Sequence, residues 1–115
     1  MRKTCLAFAL TILLFASQAS HAAMTCLGPI TYLAINTGGS VYVSVGSGIW
    51  AICSVATPFG GVATDTCKAW YASLLAAQKT GQRVQFYFTT GTTCSAVGDW
   101  VVVTPNLYHM DLMDY

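Results

Sequence analysis

The chain has 115 residues, enough for one domain. Only 8% of them are charged, against about 25% in an average soluble domain, and five basic residues cannot form the patch that neutralises a nucleic-acid backbone. Neither a P-loop nor a dinucleotide-binding glycine fingerprint is present, so neither nucleotide motif supplies a function.

The chain opens with Arg2 and Lys3, then an uncharged apolar run from Leu6 to Phe15 that is too short to span a bilayer. Ser20-His21-Ala22 follows, with small residues at the positions a signal peptidase reads. This order predicts a secretory signal over 1–22, cleaved after Ala22 or, alternatively, after Ala23. Residues 23–115 then form the domain. Three basic residues remain (Lys68, Lys79, Arg83) against four acidic ones (Asp65, Asp99, Asp111, Asp114), a net charge of −1 with His109 neutral. So uncharged a surface suits self-association or a neutral partner. Cys5 leaves with the signal. Cys26, Cys53, Cys67 and Cys94 remain, an even set that reads as two disulfides in an exported domain.

Gly28-Pro29 is expected to break the structure of the opening segment. Thr31–Asn36, Val41–Val45 and Ile49–Val55 are β-branched and aromatic, and Gly-rich turns at 36–40 and 46–48 join them into an antiparallel meander. After a loop with Pro58, Gly60 and Gly61, a helix is expected, capped by Thr64 or Asp65. Cys67, Trp70, Tyr71, Leu74 and Leu75 give its buried stripe, and Ala69, Ser73 and Ala76 a small-residue face for association. Gly81 closes it, with Lys79 in the last turn. Val84, Phe86 and Phe88 then alternate with Arg83, Gln85 and Tyr87, the period of a half-buried strand. Trp100–Val103 reads as a further strand ended by Pro105, and Leu107–Leu112 as a short last one. The fold class is mostly β with one helix (α+β): a five-stranded OB-fold-like barrel, with a helix-on-sheet sandwich as the competing architecture. The expected disulfides are Cys53–Cys67, pinning helix to sheet, and Cys26–Cys94, tying the opening segment to the loop after the Phe86 strand. Four cysteines allow three such connectivities.

Little catalytic chemistry is on offer. His109 and Asp111 stand two apart and share a strand face, and Ser44, Ser47 or Ser54 would have to supply a nucleophile. No nucleophile-elbow motif accompanies them, and the cysteines lack the close pairs of a zinc site. No catalytic residue, metal or cofactor is therefore assigned. Recognition remains. Sugars stack their apolar faces on Trp or Tyr while their hydroxyls bond to amides and hydroxyls. Tyr42, Trp50, Tyr87 and Trp100 are the candidates, with Trp50 and Trp70 better read as core, and Trp100 also weighted towards the core. The preferred ligand face is Tyr87 with Gln85 and Arg83, and Trp100 is added as a fourth ligand residue.

The stretch Ile49–Pro105 resembles B subunits of the subtilase-cytotoxin and typhoid-toxin type, of the AB5 toxins. The residues that carry it are Trp50-Ala51-Ile52-Cys53-Ser54, the helix closing on Lys79-Thr80-Gly81-Gln82, the strand Val84-Gln85-Phe86-Tyr87-Phe88, and Trp100 followed by Pro105. The resemblance implies an OB-fold protomer, a ring-shaped pentamer with helices around the pore, and glycan binding on an outer face. It does not extend to sialic acid. The region of the sugar-contacting serine is Thr25-Cys26-Leu27-Gly28, the place of the contacting tyrosine falls at Phe88, and no cysteine stands between Cys26 and Cys53. The expected function is a secreted or periplasmic, non-catalytic carbohydrate-binding module, toxin delivery subunits included, that binds a glycan or host surface glycoprotein as a homo-oligomer. The alternative is a protein-interaction module such as an inhibitor or assembly factor.

Overall fold

A computed structural model describes residues 23–113, so the expected signal segment lies outside the described residues. The β-rich pattern resolves into an α+β fold. Its strands are β1 (Met24–Pro29), β2 (Tyr32–Ile35), β3 (Ser40–Ser44), β4 (Trp50–Ser54), β5 (Arg83–Phe88), β6 (Val101–Val102) and β7 (Leu107–Met113). One α-helix, α1 (Thr64–Thr80), separates β4 from β5, and a 3₁₀ turn covers Cys94–Val97. The strands pair into a three-stranded sheet, β1-β5-β7, and a four-stranded sheet, β2-β3-β4-β6. These ladders do not close into a single five-stranded barrel.

The meander β2-β3-β4 is antiparallel as expected, but β6 adds to β4 in parallel. Gly28-Pro29 lies inside β1 and does not break it. Pro29 is tolerated because β1 is an edge strand, where a missing N–H need not cost a ladder bond. Gly28 is required by a close approach of the two sheets: a Cβ there would stand 2.6 Å from the Val45 carbonyl oxygen. The chain passes between the sheets four times, and at the two short passages, β1 to β2 and β6 to β7, hydrogen bonds follow it. At the first crossing Thr31 N donates to Ser44 O at 2.9 Å. At the second, Val103 N still donates to Ala51 O of β4 at 3.1 Å, while Asn106 O already accepts from Thr89 N, just past β5, at 2.9 Å.

The inner faces meet around Trp50, which is fully buried. Its ring packs edge-on against Phe86 at 5.9 Å and Phe88 at 5.4 Å, both from the opposite sheet. The alternation expected in β5 holds: Val84, Phe86 and Phe88 point inward. In β4, Trp50 pairs with Val43 and Cys53 with Val41, although they are three residues apart. A β-bulge at the Val41/Tyr42 register shift absorbs the odd residue and keeps both side chains in the core.

The helix is aligned by its disulfide and its buried face, without a side-chain cap. Its N-cap is Ala63, which makes no capping bond, and the expected caps Thr64 and Asp65 lie inside the first turn. Cys67 in that turn is bonded to Cys53 of β4, and this covalent link fixes where the helix begins to pack. Cys67, Leu74 and Ala77 form the fully buried stripe; Trp70, Tyr71 and Leu75 are half-buried at its sides. Ala69 and Ala76 are exposed and Ser73 is half-buried. Gly81 ends the helix in the left-handed conformation (φ 71°), donating its N–H to Ala77 O, with Lys79 in the last turn. Among the described residues no helix is long and apolar enough to cross a membrane.

Both disulfides form as expected, Cys53–Cys67 across 14 residues and Cys26–Cys94 across 68. On the chain-entropy model they contribute about 3 and about 4 kcal/mol. The double variant Cys53→Ser/Cys67→Ser should therefore lose about 3 kcal/mol in urea unfolding. Cys26→Ser/Cys94→Ser should lose at least as much, and equal stability of either variant with the parent would contradict the pairing.

Candidate functional site

Two outward faces carry the sequence candidates. The first belongs to the three-stranded sheet. Tyr87 is paired with Thr25 on β1 and His109 on β7, Gln85 with Leu27 and Asp111, and Arg83 with Pro29 and Met113. Paired residues share a face, so these nine side chains tile the outer surface of the sheet. Tyr87, Gln85 and Arg83 thus lie together as expected. Of the three, Tyr87 joins a polar network with His109 and Asp111 of β7. Tyr87 Oη donates to Asp111 Oδ2 at 2.8 Å, and His109 Nε2 donates to Asp111 Oδ1 at 2.7 Å. The Tyr87 ring also packs edge-on against His109 at 5.1 Å. The tyrosine hydroxyl holds the Asp111 carboxyl below the usual carboxylate range, with His109 adding to the effect, and the same bond raises the Tyr87 phenol. The serines considered as nucleophiles do not join His109. Ser44 and Ser54 lie on the other sheet, where their Oγ atoms accept turn N–H groups of Gly46 and of Ala56 and Thr57.

Trp100 is not part of this face. It lies against the outer face of the four-stranded sheet, 5.5 Å from the ring of Tyr42 and 5.9 Å from Tyr32. Nor is it in a strand or in the core: β6 begins one residue later, and Trp100 is 58% exposed. The reason is local backbone geometry. Gly98 O accepts the indole N–H of Trp50 at 3.2 Å, Asp99 Oδ1 accepts Ile49 N at 2.7 Å, and Trp100 N donates to Ile49 O at 2.7 Å. Three bonds to two consecutive residues hold the loop exit, and Trp100 takes a φ of 56°, a region that non-glycine residues seldom occupy. The held backbone presents the indole outward.

Beside it, Ala34, Tyr42, Ala51 and Val102 form one row across the four strands. At about 4.8 Å between strands, the row spans about 14 Å. Tyr42 is the tall member between two alanines, and Val102 at the edge is 61% exposed. Ala51 is only 4% exposed although its row faces outward, so larger neighbours cover it. Beyond Val102 a cavity of about 340 Å³ opens between β6 and the loop after β5. Thr90, Thr92, Thr93 and Val97 are among its lining residues. Asn106 pins one end of that loop, accepting from Thr90 N at 2.9 Å and donating to Thr90 O at 3.1 Å. The Cys26–Cys94 disulfide pins its middle. A second cavity of about 320 Å³ lies at the start of α1, walled by Trp70, Pro105 and Tyr108.

Sequence reasoning singled out Tyr42 and Trp100 separately and passed over Tyr32 and Val102. The turn pair Gly98-Asp99 directly before Trp100 signals only that the indole stands at a strand entry and not within a strand; it says nothing of the tyrosines beside it. No family model and no curated protein matches the chain in sequence.

The Tyr87–Asp111 bond is testable by titration. Because the folded Asp111 pKa is depressed, its contribution to stability is present above the ordinary carboxylate range and is lost as the pH falls through the folded value. In Tyr87→Phe, carboxyl NMR should show Asp111 titrating at higher pH than in the parent, and unfolding stability should fall less steeply on acidification. An unchanged Asp111 titration would rule the bond out.

Proposed function

We propose that this chain is a secreted or periplasmic, non-catalytic carbohydrate-binding module whose site is the platform of Trp100, Tyr42 and Tyr32. One observation carries the reading: Trp100 is held in solvent by a tethered backbone at positive φ, against the tendency of an indole to bury itself. An exposed ring buttressed by two others, Tyr32 edge-on and Tyr42 tilted, offers a flat apolar surface to the apolar face of a sugar. Export is supported by the two disulfides and by the signal-like sequence at 1–22.

The fold is read as an OB-type barrel. Its support is the pair of hydrogen-bonded crossings. If β1 with β2, and β6 with β7, are each one bent strand, the seven strands reduce to five: 24–35, 40–44, 50–54, 83–88 and 101–113. OB folds bind oligosaccharides on the face of their second and third strands, flanked by the loop between the fourth and fifth. Those elements are β3, β4 and residues 89–100 here, and they carry Tyr42 and Trp100. The resemblance to AB5 toxin B subunits adds a delivery role towards a host glycoprotein and a pentameric assembly. The small-residue face of Ala69, Ser73 and Ala76 is the surface we assign to that association. Light scattering on the mature protein should then give an oligomer mass, dissociated by Ala76→Glu without unfolding. A monomer at high micromolar concentration would reject the assembly.

The rival is a protein-interaction module, favoured by the apolar continuity of Trp100 with Val102. A glycan array on the mature protein decides between them. The parent should bind a glycan, and Trp100→Ala should lose at least about tenfold in affinity, the scale of a base or sugar stacked on an aromatic ring. Its circular dichroism and melting temperature should stay near those of the parent. Tyr87→Ala should bind like the parent; if Tyr87→Ala loses binding instead, the ligand sits on the three-stranded sheet. No glycan bound across a broad array would favour the rival.

A further inference from the structure

We infer that the cavity beside Val102 is a second station of the same site, so that the ligand is an uncharged saccharide chain of two or more units. This rests on the carbohydrate reading above and extends it from one stacked sugar to a chain. The first support is continuity. Val102 belongs both to the outward row with Tyr42 and to the cavity wall, and Trp100 lies two residues before it. A ligand stacked on the indole therefore has the cavity next to it along the edge of β6.

The second support is the chemistry of the lining. At about 340 Å³ the cavity falls in the range of small-ligand sites, roughly 300–1,000 Å³. Its walls set the threonines of 90–93 opposite the valines of 101–103, hydroxyls beside apolar surface, which matches a sugar ring with its apolar face and polar rim. The Thr90 hydroxyl is spent on Asn106, and that of Thr93 meets Ser95 Oγ at 3.5 Å. Thr92, exposed at the rim, keeps its hydroxyl for a ligand. The loop that carries these groups is held at both Asn106 and Cys94, so the pocket needs little ordering on binding.

The third support is charge. No cavity-lining side chain is charged. The nearest acidic group along the chain is Asp99, beside Trp100, and Lys68 and Lys79 are on α1 and Arg83 on β5, on none of the elements that build the strip. A carboxylated or sulfated sugar would find no cation to pair with and one carboxylate to repel it. The strip therefore selects neutral chains.

The test is calorimetric titration of the disulfide-intact mature protein with neutral gluco-, manno- and galacto-oligosaccharides of one to four units, and with a sialylated and a glucuronate-containing chain. Affinity for the preferred neutral series should rise about tenfold or more from one unit to two or three, and the acidic chains should bind more weakly. Thr92→Val and Ala96→Gln, both on the exposed loop, should remove most of that gain while leaving the affinity for the single sugar unchanged. Trp100→Ala should weaken every member of the series. Equal affinity across chain lengths, or a gain that survives both loop variants, would overturn the second station and leave the Trp100 platform standing. Preference for an acidic chain would overturn the neutral assignment. Failure of every saccharide to bind would overturn the platform and this inference together.

Discussion

The position of Trp50 between the two sheets governs most of the structure. The ring comes from β4 and meets Phe86 and Phe88 of β5 edge-on, at the centre of a core in which Val41, Val43 and Ile52 of the four-stranded sheet join Val84 and Leu107 of the three-stranded one. Edge-to-face pairs add about 0.5–1.5 kcal/mol each beyond the area they bury. The indole N–H would be costly to bury unpaired, and Gly98 O satisfies it. That bond reaches from the core into the loop that ends at Trp100. The packing of one tryptophan thus sets the exposure of another, and the glycine at position 48 is part of the same constraint. A side chain there would collide with the Gly98 carbonyl that Trp50 uses.

The two sheets expose different chemistry because their strands are buried differently. In the three-stranded sheet, Tyr87 and His109 of the outer face both bond to Asp111, with Leu27, Pro29 and Met113 as apolar members of the same face. In the four-stranded sheet, the outer row alternates Ala with Tyr and ends on Val102, and Trp100 folds back against it. This surface gains from being covered. Exposed apolar groups stand on both sheets, Leu27 and Tyr108 on one and Tyr32 and Val102 on the other, and the aromatic cluster with Trp100 is on the four-stranded one.

Much of the fold was legible in the sequence, where periodicity was strong. The alternation from Arg83 to Phe88, the helix ending at Gly81, the meander from β2 to β4 and the presence of two disulfides follow from spacing and residue type; their pairing, one of three connectivities, agrees with the expected one. The misreadings share a cause. Gly28-Pro29 looks like a breaker because local propensity does not record that β1 is an edge strand pressed against Val45. Thr64 and Asp65 look like caps because a covalent link from Cys67 to β4 is invisible to a capping rule. Trp100 looks like the first residue of a strand because its three tethers to Ile49 and Trp50 span about fifty residues of chain. For the site, Tyr87 with Gln85 and Arg83 was a matter of period two and was correctly grouped. The gathering of Tyr32, Tyr42 and Trp100 depends on strand register and a loop closure, which no local pattern encodes.

The two disulfides differ in how far solvent reaches them. Cys53 and Cys67 are both fully buried beneath α1, whereas Cys94 stands half-exposed on the loop that walls the cavity beside Val102. A thiolate attacks a disulfide only where it can reach a sulfur, so Cys94 is the first point of entry for a reductant. Cleavage there frees the loop between Asn106's anchor and Gly98 and leaves the helix fastened to its sheet. In a reducing medium the loop wall would therefore slacken before the molecule loses its shape.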